Sequence, residues 1–128
     1  MMVGAVDEGL QHWIVSDHWQ YGGAGSTYGN PLWFAAPGTN IRCSDKDGKP
    51  SRAFGTSFAA PIVAGIAALV WSVNPGLRNT DVERILIDSC VQPKYDGKHT
   101  WAISFWGYGV PDAENAVRIA SGLDKINQ

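Results

Sequence analysis

The chain has little charge and no concentration of charge of one sign. Only 17% of its 128 residues are charged, and the formal net charge is -2 at pH 7. No run or stripe of Lys and Arg occurs, so the sequence offers no electrostatic footprint for a nucleic acid. With 45% hydrophobic residues, the composition is that of a soluble globular protein of about one domain.

Cysteine is also scarce, since Cys43 and Cys90 are the only two in the chain. Their spacing matches neither a metal-ligand pattern nor the dense framework of a disulfide-rich domain. The two residues are compatible with one disulfide or with two buried thiols. The sequence therefore leaves both the pairing and the redox compartment open.

The N-terminus lacks a basic leader. The first residues, MMVGAVDEG, contain no Lys or Arg and no small-residue cleavage site, so they do not form a signal peptide. They predict instead a short buried strand over residues 2–6. Because a domain rarely begins within a buried strand, we expect the chain to be a segment of a longer protein.

The longest stretch without charge, between Arg52 and Arg78, contains a helix predicted over residues 57–73 that is apolar on every side. Such a helix belongs in a protein interior or in a membrane. It is shorter than the roughly 20 residues that a membrane span requires, which favours the interior. Pro61 has no N–H for the carbonyl of Ser57 and crowds it, so regular helix is expected to begin only beyond Pro61.

The other elements alternate between strands and helices, which predicts an α/β layer structure. Strands are predicted over residues 32–36 and 101–106, and a hairpin over residues 41–54 around an Asp-Gly turn. A second helix is predicted from Thr80, the N-cap of a capping box that Glu83 completes. A final helix is predicted over residues 113–120, with Pro111 in its first turn.

Ser57 poses the functional question, because a serine where a buried helix begins has two interpretations. It can cap the helix by accepting from an unpaired backbone N–H. Alternatively, it can be a nucleophile placed where first-turn N–H groups and the helix dipole favour a developing oxyanion. A nucleophile also needs a base, and His12, His18 and His99 are the only imidazoles, each predicted in a solvated loop or turn. From these residues alone both interpretations stay open.

The segment GTSFAAPIVAG at residues 55–65 resembles the nucleophile motif G-T-S-x-A-x-P-x-V-A-G of the subtilisin-like serine proteases at every defined position. Three further landmarks occur in that family's order: VGAVD at residues 3–7, APG at 36–38, and GYG at 107–109 before a terminal helix. Together they cover nearly the whole chain. Residues 1–128 are therefore identified as the C-terminal segment of a subtilisin-like catalytic domain.

This resemblance implies the C-terminal portion of a three-layer α/β fold with a mostly parallel sheet. It implies that Ser57 is the acyl-forming nucleophile, and that Gly55, Thr56 and Ser57 line the oxyanion and substrate site. It also implies a peptide or protein substrate, no cofactor for the chemistry, and secretion from the cell.

The chain departs from the family at several positions. The motifs D-[ST]-G and H-G-T-H, which carry the Asp and His of the triad, do not occur in it. Loss of the triad His costs roughly 10⁶ in turnover, a value that comes from subtilisin itself. We therefore expect the chain to be nearly inert alone and to require the missing N-terminal half as a partner. Ile62 and Trp33 stand where the family often has His and Asp, so a structural calcium, although compatible with a full-length domain, is not supported here.

Two alternatives to an active protease segment are compatible with part of the sequence. The first alternative is an α/β-hydrolase. Residues 55–59 differ from the motif G-x-S-x-G at only one position, and Asp88, Asp96 and His99 follow the serine in the chain. That interpretation leaves the rest of the motif unexplained. The other alternative is a non-catalytic protease remnant that binds peptides or a partner chain, which the absent motifs favour. In either protease interpretation, the truncation predicts exposed apolar surface, open sheet edges and self-association.

Overall fold

The computed structural model describes residues 1–10, 25–26, 29, 32–92 and 106–122. Within these residues lie six strands, namely β1 (Met2–Val6), β2 (Leu32–Pro37), β3 (Ile41–Ser44), β4 (Pro50–Ala53), β5 (Cys90–Val91) and β6 (Val110–Pro111). The helices in the same residues are α1 (Thr56–Val73), α2 (Asn79–Ser89) and α3 (Ala113–Ser121). The predicted α/β class is confirmed. Most of the strand predicted over residues 101–106 lies outside the described residues.

Strands β1 and β2 form a parallel pair in which Val3 lies beside Phe34. The other side of β2 is bonded to the segment before β6: the Tyr108 N–H donates to the Trp33 carbonyl at 2.7 Å, and the Ala35 N–H donates to the Gly109 carbonyl at 2.9 Å. Strand β2 therefore lies between two neighbours, as its nearly continuous apolar sequence requires. The remaining strand pairs, β3 with β4 and β5 with β6, are antiparallel.

The main core lies where the three helices pack on one face of the β1–β2 pair. Helix α1 contributes the largest share of it, through Ala59, Val63, Ile66, Ala67 and Val70. The strands, α2 and α3 contribute residues that include Ala5, Phe34, Ala36, Val82, Ile85, Leu86, Ala116 and Ala120. A second cluster on the opposite face contains Val6, Ala35, Trp106 and Val110. Both faces of the strand pair are thus covered, as in a layered α/β domain.

Helix α1 begins at Thr56, so the prediction that regular helix starts only beyond Pro61 is wrong. Pro61 lies inside the helix, and the i to i+4 bond that it removes is the one to the carbonyl of Ser57. Ser57 is exposed, so its carbonyl can be solvated and the missing bond leaves no buried unpaired group. By length and composition α1 could cross a membrane, and one face of it forms the core described above.

Helix α2 begins two residues earlier than predicted, with Arg78 rather than Thr80 as N-cap. The carboxylate of Asp81 accepts a hydrogen bond from the Arg78 N–H at 3.0 Å and also pairs with the Arg78 guanidinium at 3.0 Å. One side chain thus forms both a cap bond and an ion pair, which the predicted pair of Thr80 and Glu83 does not offer. The indole N–H of Trp71 donates to the Leu77 carbonyl at 2.9 Å and secures the turn between α1 and α2.

Helix α3 also has a different start from the one predicted. Its N-cap is Asp112, whose carboxylate accepts from the Asn115 N–H at 2.8 Å. Pro111 belongs to β6 and pairs with Cys90, so its placement in the first helical turn is wrong. Aspartate is a strong N-cap residue, and it stops the helix from extending back to the proline.

The two cysteines are free thiols on different elements, so the disulfide alternative is not found. Cys43 lies on β3, and Cys90 lies on β5 with its thiol 3.2 Å from the Leu86 carbonyl. Burial raises the pKa of Cys90 to about 12. Because only the thiolate is reactive, Cys90 is a structural residue near neutral pH.

Candidate active site

The predicted hairpin leads directly into the helix that carries Ser57. Strands β3 and β4 pair with Ile41 opposite Ala53, and the carboxylate of Asp45 accepts two turn N–H groups at 2.8 and 2.9 Å. Strand β4 ends at Ala53, so only two residues separate it from α1. The strand–turn–helix arrangement predicted around Ser57 is confirmed.

A pair of backbone hydrogen bonds joins this turn to the parallel strands. The Gly55 N–H donates to the Gly38 carbonyl at 2.7 Å, and the Gly38 N–H donates to the Val6 carbonyl at 3.0 Å. A Cβ at Gly38 would lie 2.5 Å from the Cβ of Ala5, so only glycine fits there. The turn is therefore fixed to the carboxyl end of β1, the edge at which ligand sites form in open α/β sheets.

In the first turn of α1, the hydroxyl of Ser57 has no hydrogen-bond partner among the described residues. Gly55 is the N-cap with a φ of 130°, a conformation that needs glycine, and no side chain caps the helix. Ser57 is the second helical residue and is exposed, and its hydroxyl makes no hydrogen bond with the described residues. The structure therefore does not support the capping interpretation of this serine.

The backbone at the same turn is suited to bind negative charge. The Phe58 N–H donates to the Gly55 carbonyl at 3.0 Å, whereas the N–H groups of Thr56 and Ser57 have no partner among the described residues. The first turn also contains no acidic side chain that would neutralise the positive end of the helix dipole. Among the described residues, Thr56 and Ser57 therefore offer free N–H donors beside a free hydroxyl, whereas the Gly55 N–H is bonded to Gly38.

The structure does not bring a base to this serine within the described residues. His12, His18, His99 and Asp96 all lie outside the described ranges. Asp88, which the hydrolase alternative needs as its acid, lies on α2 with its carboxylate 3.9 Å from Arg84. The described residues therefore contain the candidate nucleophile Ser57 but no imidazole that could activate it.

A polar network beside the turn was not predicted from the sequence. The amide of Asn40 donates to the Glu8 carboxylate at 2.6 Å, and the Arg52 guanidinium donates to the Asn40 side-chain oxygen at 2.9 Å. These bonds connect the segment after β1 with β4. The only local signal is that Asn40 has a φ of 55°, in the left-handed region that Asn tolerates better than most residues.

Trp33 and Ile62 occupy the two positions at which the family often has Asp and His. Trp33 lies on β2 with its ring edge-on to Tyr108 at a centroid distance of 5.9 Å, and Ile62 lies half-buried on α1. Within the described ranges, no group of three or more His, Cys, Asp and Glu residues could hold a metal ion.

Comparison with protein families and curated proteins points to one class of enzyme. Residues 1–115 match the model of the subtilase family, the peptidases S8. Subtilisin-like protease 1 of Plasmodium falciparum (isolate 3D7) is 41% identical over 87 residues, which are 67% of this chain and 12% of that protein. Halolysin-like extracellular serine protease Nep of Natrialba magadii is 35% identical over 92 residues, which are 72% of this chain and 16% of that protein. The chain thus spans a small part of these relatives.

Solved structures share the same fold. The patellamide maturation protease PatA superposes with a TM-score of 0.67 and 26% identity, over 94% of this chain and 42% of that chain. The structure of the subtilase cytotoxin SubAB assembly gives a TM-score of 0.67 and 32% identity, over 82% of this chain and 32% of that chain. The predicted α/β fold agrees with these structures.

Proposed function

The chain belongs to the subtilase family, and on that premise we propose that it supplies the nucleophile of a serine endopeptidase. The proposed reaction is the hydrolysis of peptide bonds through an acyl-enzyme on Ser57. One observation carries the proposal: the hydroxyl of Ser57 is exposed on an uncapped first turn at the carboxyl end of parallel strands. A serine committed to capping would have a backbone partner, and Ser57 has none among the described residues.

In the proposed first step, the Ser57 oxygen attacks the carbonyl carbon of the substrate while an imidazole takes the hydroxyl proton. The new C–O bond converts the carbonyl oxygen into an oxyanion, which the N–H of Ser57 and the dipole of α1 stabilise. Collapse of this intermediate breaks the C–N bond, and the imidazole returns the proton to the leaving amine. Water then hydrolyses the ester. Gly55 and Thr56 provide the surrounding backbone, and this chemistry needs no cofactor.

The imidazole, its orienting carboxylate and a second oxyanion donor are proposed to come from the rest of the catalytic domain. The chain spans only 12% of the Plasmodium protease and 42% of PatA, which leaves room for such a segment in a longer protein. Without the histidine, turnover falls by roughly 10⁶, as in subtilisin itself. We therefore propose that the isolated chain is close to inert.

The face of α1 that points away from the core is the proposed docking surface for that segment. Large apolar residues on it, Leu69 and Val73, are 49% and 45% exposed. Contact with another polypeptide removes this surface from water, which is favourable by about 25 cal/mol for each Å² buried. Self-association through the same face is the proposed alternative when the segment is absent. Secretion is also proposed, because the relative from Natrialba magadii is named as extracellular.

A fluorophosphonate probe, which labels activated serines, tests this proposal. The chain is incubated with the probe alone and after addition of a subtilase N-terminal segment that carries D-[ST]-G and H-G-T-H. We expect labelling of Ser57 only in the mixture, loss of labelling in Ser57→Ala, and normal labelling in Ser72→Ala, which alters another exposed serine of α1. Equal labelling of the chain alone would contradict the need for a partner, and labelling that survives in Ser57→Ala would contradict the nucleophile.

A non-catalytic remnant is the second candidate function, and the absence of the D-[ST]-G and H-G-T-H motifs favours it. A remnant would bind the added segment or a peptide without any labelling of Ser57. The same experiment therefore separates the two candidates, provided that binding of the segment is measured alongside the labelling.

A further inference from the structure

The hairpin of β3 and β4 concentrates positive charge beside the serine turn. Residues 41–53 contain four cations and two carboxylates, a net charge of +2, in a chain whose net charge is -2. At the tip, Lys46 pairs with Asp47 at 2.9 Å, and Asp45 accepts backbone N–H groups. Residues 45–49 contain two lysines and two aspartates and are neutral overall, so the net charge of +2 corresponds to Arg42 and Arg52 at the base of the hairpin.

Arg42 and Arg52 are directly opposite each other in the antiparallel register, so their side chains project from the same face of the hairpin. Like charges in that position destabilise a hairpin unless an anion is present. Among the described residues, Arg52 donates only to the two neutral oxygens of Asn40, at 2.9 and 3.1 Å. Arg42 is exposed and forms no ion pair or hydrogen bond with the described residues. The nearby carboxylate of Glu8 is bonded to the amide of Asn40.

A surface hollow of about 330 Å³ accompanies this pair. Its lining consists of Arg42, Cys43, Pro50, Ser51 and Arg52. The volume is at the lower end of the range for small-ligand sites, so it suits one or two side chains rather than a large cofactor. The two guanidinium groups of the lining are hydrogen-bond donors for an anion. Ser51 is opposite Cys43, so the side chains of that pair project from the other face of the hairpin.

We propose that this hollow is a subsite for an acidic side chain, Asp or Glu, of the peptide that lies along the carboxyl edge beside Ser57. The inference rests on the proposed function only in the assumption that a peptide occupies this edge. Arg42 and Arg52 are specificity-determining residues in this proposal, because they contact the substrate but not the reacting bond. The network from Glu8 through Asn40 holds Arg52 in place, and Arg42 remains free to close on the carboxylate.

The position of the hairpin limits which substrate residue can reach it. Gly55 is three residues after Arg52, and the chain between them is mostly extended. At roughly 3.3 Å per residue, the two residues are about 10 Å apart. A bound peptide in extended conformation covers the same distance in about three residues. The acidic residue is therefore expected about three or four positions from the cleaved bond.

Binding to the full chain tests this subsite without any need for catalysis. Two labelled hexapeptides that differ only in one Glu or Gln are titrated against the wild-type chain, and the dissociation constants are compared by fluorescence anisotropy. We expect the Glu peptide to bind about three- to fivefold more tightly, a ratio typical of a partly exposed ion pair. The variants Arg42→Gln and Arg52→Gln should each bring this ratio close to one. Lys49→Gln, which removes a hairpin cation outside the hollow, should preserve it.

Equal binding of the two peptides by the wild type, or a Glu preference that survives in Arg42→Gln, would overturn the subsite. A nitroxide on the far end of the Glu peptide checks its direction, since we expect it to broaden the amide resonance of Ser57. Broadening confined to α2 would also contradict the proposal. Far-UV circular dichroism of each variant confirms that the fold is retained. Ser57 labelling is measured separately. If the Glu preference is absent but Ser57 is labelled, the subsite is wrong and the proposed function stands. If the Glu preference is present but Ser57 is not labelled, the proposed function is wrong and the subsite stands.

Discussion

Helices α1 and α2 follow each other in the chain, yet their outer faces have opposite chemistry. The outer face of α2 is polar and includes Arg84 and Asp88, whose charged atoms are 3.9 Å apart. The outer face of α1 has no charge at all, and Leu69, Trp71 and Val73 are each at least 40% exposed on it. Surface helices of independent proteins usually resemble α2. The outer face of α2 therefore suits contact with water, and we propose that the outer face of α1 is covered by another polypeptide.

The beginnings of the two helices differ in the same way. The start of α2 is closed by Asp81, whose carboxylate accepts from the backbone of Arg78 at 3.0 Å. The start of α1 has no side-chain cap and is fixed from outside by the bond between Gly55 and Gly38. A capped start only stabilises its helix, while an uncapped start keeps donors available for a ligand.

The largest effect is expected from a leucine truncation on α2. Leu86 is fully buried, so Leu86→Ala should lower the free energy of unfolding by about 2–5 kcal/mol through lost burial and a cavity. Leu69→Ala, the matched change on the outer face of α1, should alter it by no more than about 0.5 kcal/mol. Urea denaturation of the dilute chain measures both. Similar losses in the two variants would show that the outer face of α1 is already covered.

The next largest effect concerns the bond that fixes the start of α1. In Gly38→Ala, the new methyl group would collide with Ala5 and displace the carbonyl that binds Gly55. The free energy of unfolding should fall by about 1–3 kcal/mol, as for overpacked sites, and Ser57 labelling in the complemented mixture should fall as well.

Gly65→Ala is the control for that change, because a Cβ at Gly65 meets no atom within 4 Å. In an exposed helix interior this substitution should stabilise the chain by up to about 1 kcal/mol. A loss of stability in Gly65→Ala as large as that in Gly38→Ala would contradict the packing argument.

A smaller effect is expected on association. Lysines at two exposed positions of α1, in Leu69→Lys/Val73→Lys, should weaken self-association of the chain about tenfold, because each removes apolar contact area. Asn79→Lys/Thr80→Lys adds the same charge to α2 and should change association little. Sedimentation velocity over a concentration series measures both, and equal weakening by the two variants would indicate a general charge effect.

The smallest effect is expected at the start of α2. The hydrogen bonds and ion pair from Arg78 lower the pKa of Asp81 in the folded chain. A lowered pKa contributes stability above the unfolded value of about 3.9, and that contribution is lost as pH falls through the lower folded value. The melting temperature of Asp81→Asn should therefore be lower than that of the wild type at pH 6. The difference between the two melting temperatures should decrease below about pH 4. Thr80→Ala should not lower the melting temperature, since Thr80 does not cap the helix and alanine has the higher helix propensity.

The elements with strong local patterns could be predicted from the sequence. The hairpin has an Asp-Gly turn between strand-forming runs, and α1 has a long apolar stretch. The predicted start of α1 is too late, because Pro61 is accommodated inside the helix. The other two wrong starts depend on a choice between neighbouring residues. The start of α2 is decided by Arg78 and Asp81 rather than Thr80, and the start of α3 by Asp112 rather than Pro111. Capping patterns that overlap within a few residues are separated only by the contacts that form in the folded chain.

The sequence by itself determined that Ser57 lies in a subtilase nucleophile motif at the start of an apolar helix, because residue type and spacing are local properties. Only the tertiary structure decided where that serine lies. The 2.7 Å bond between Gly55 and Gly38 spans 17 residues of sequence, and Gly38 is in turn bonded to Val6 at the end of β1. The pairing that places Arg42 and Arg52 on one face of the hairpin is likewise a matter of register. Such contacts join residues that are distant in the chain, and no local preference encodes which distant partner is met.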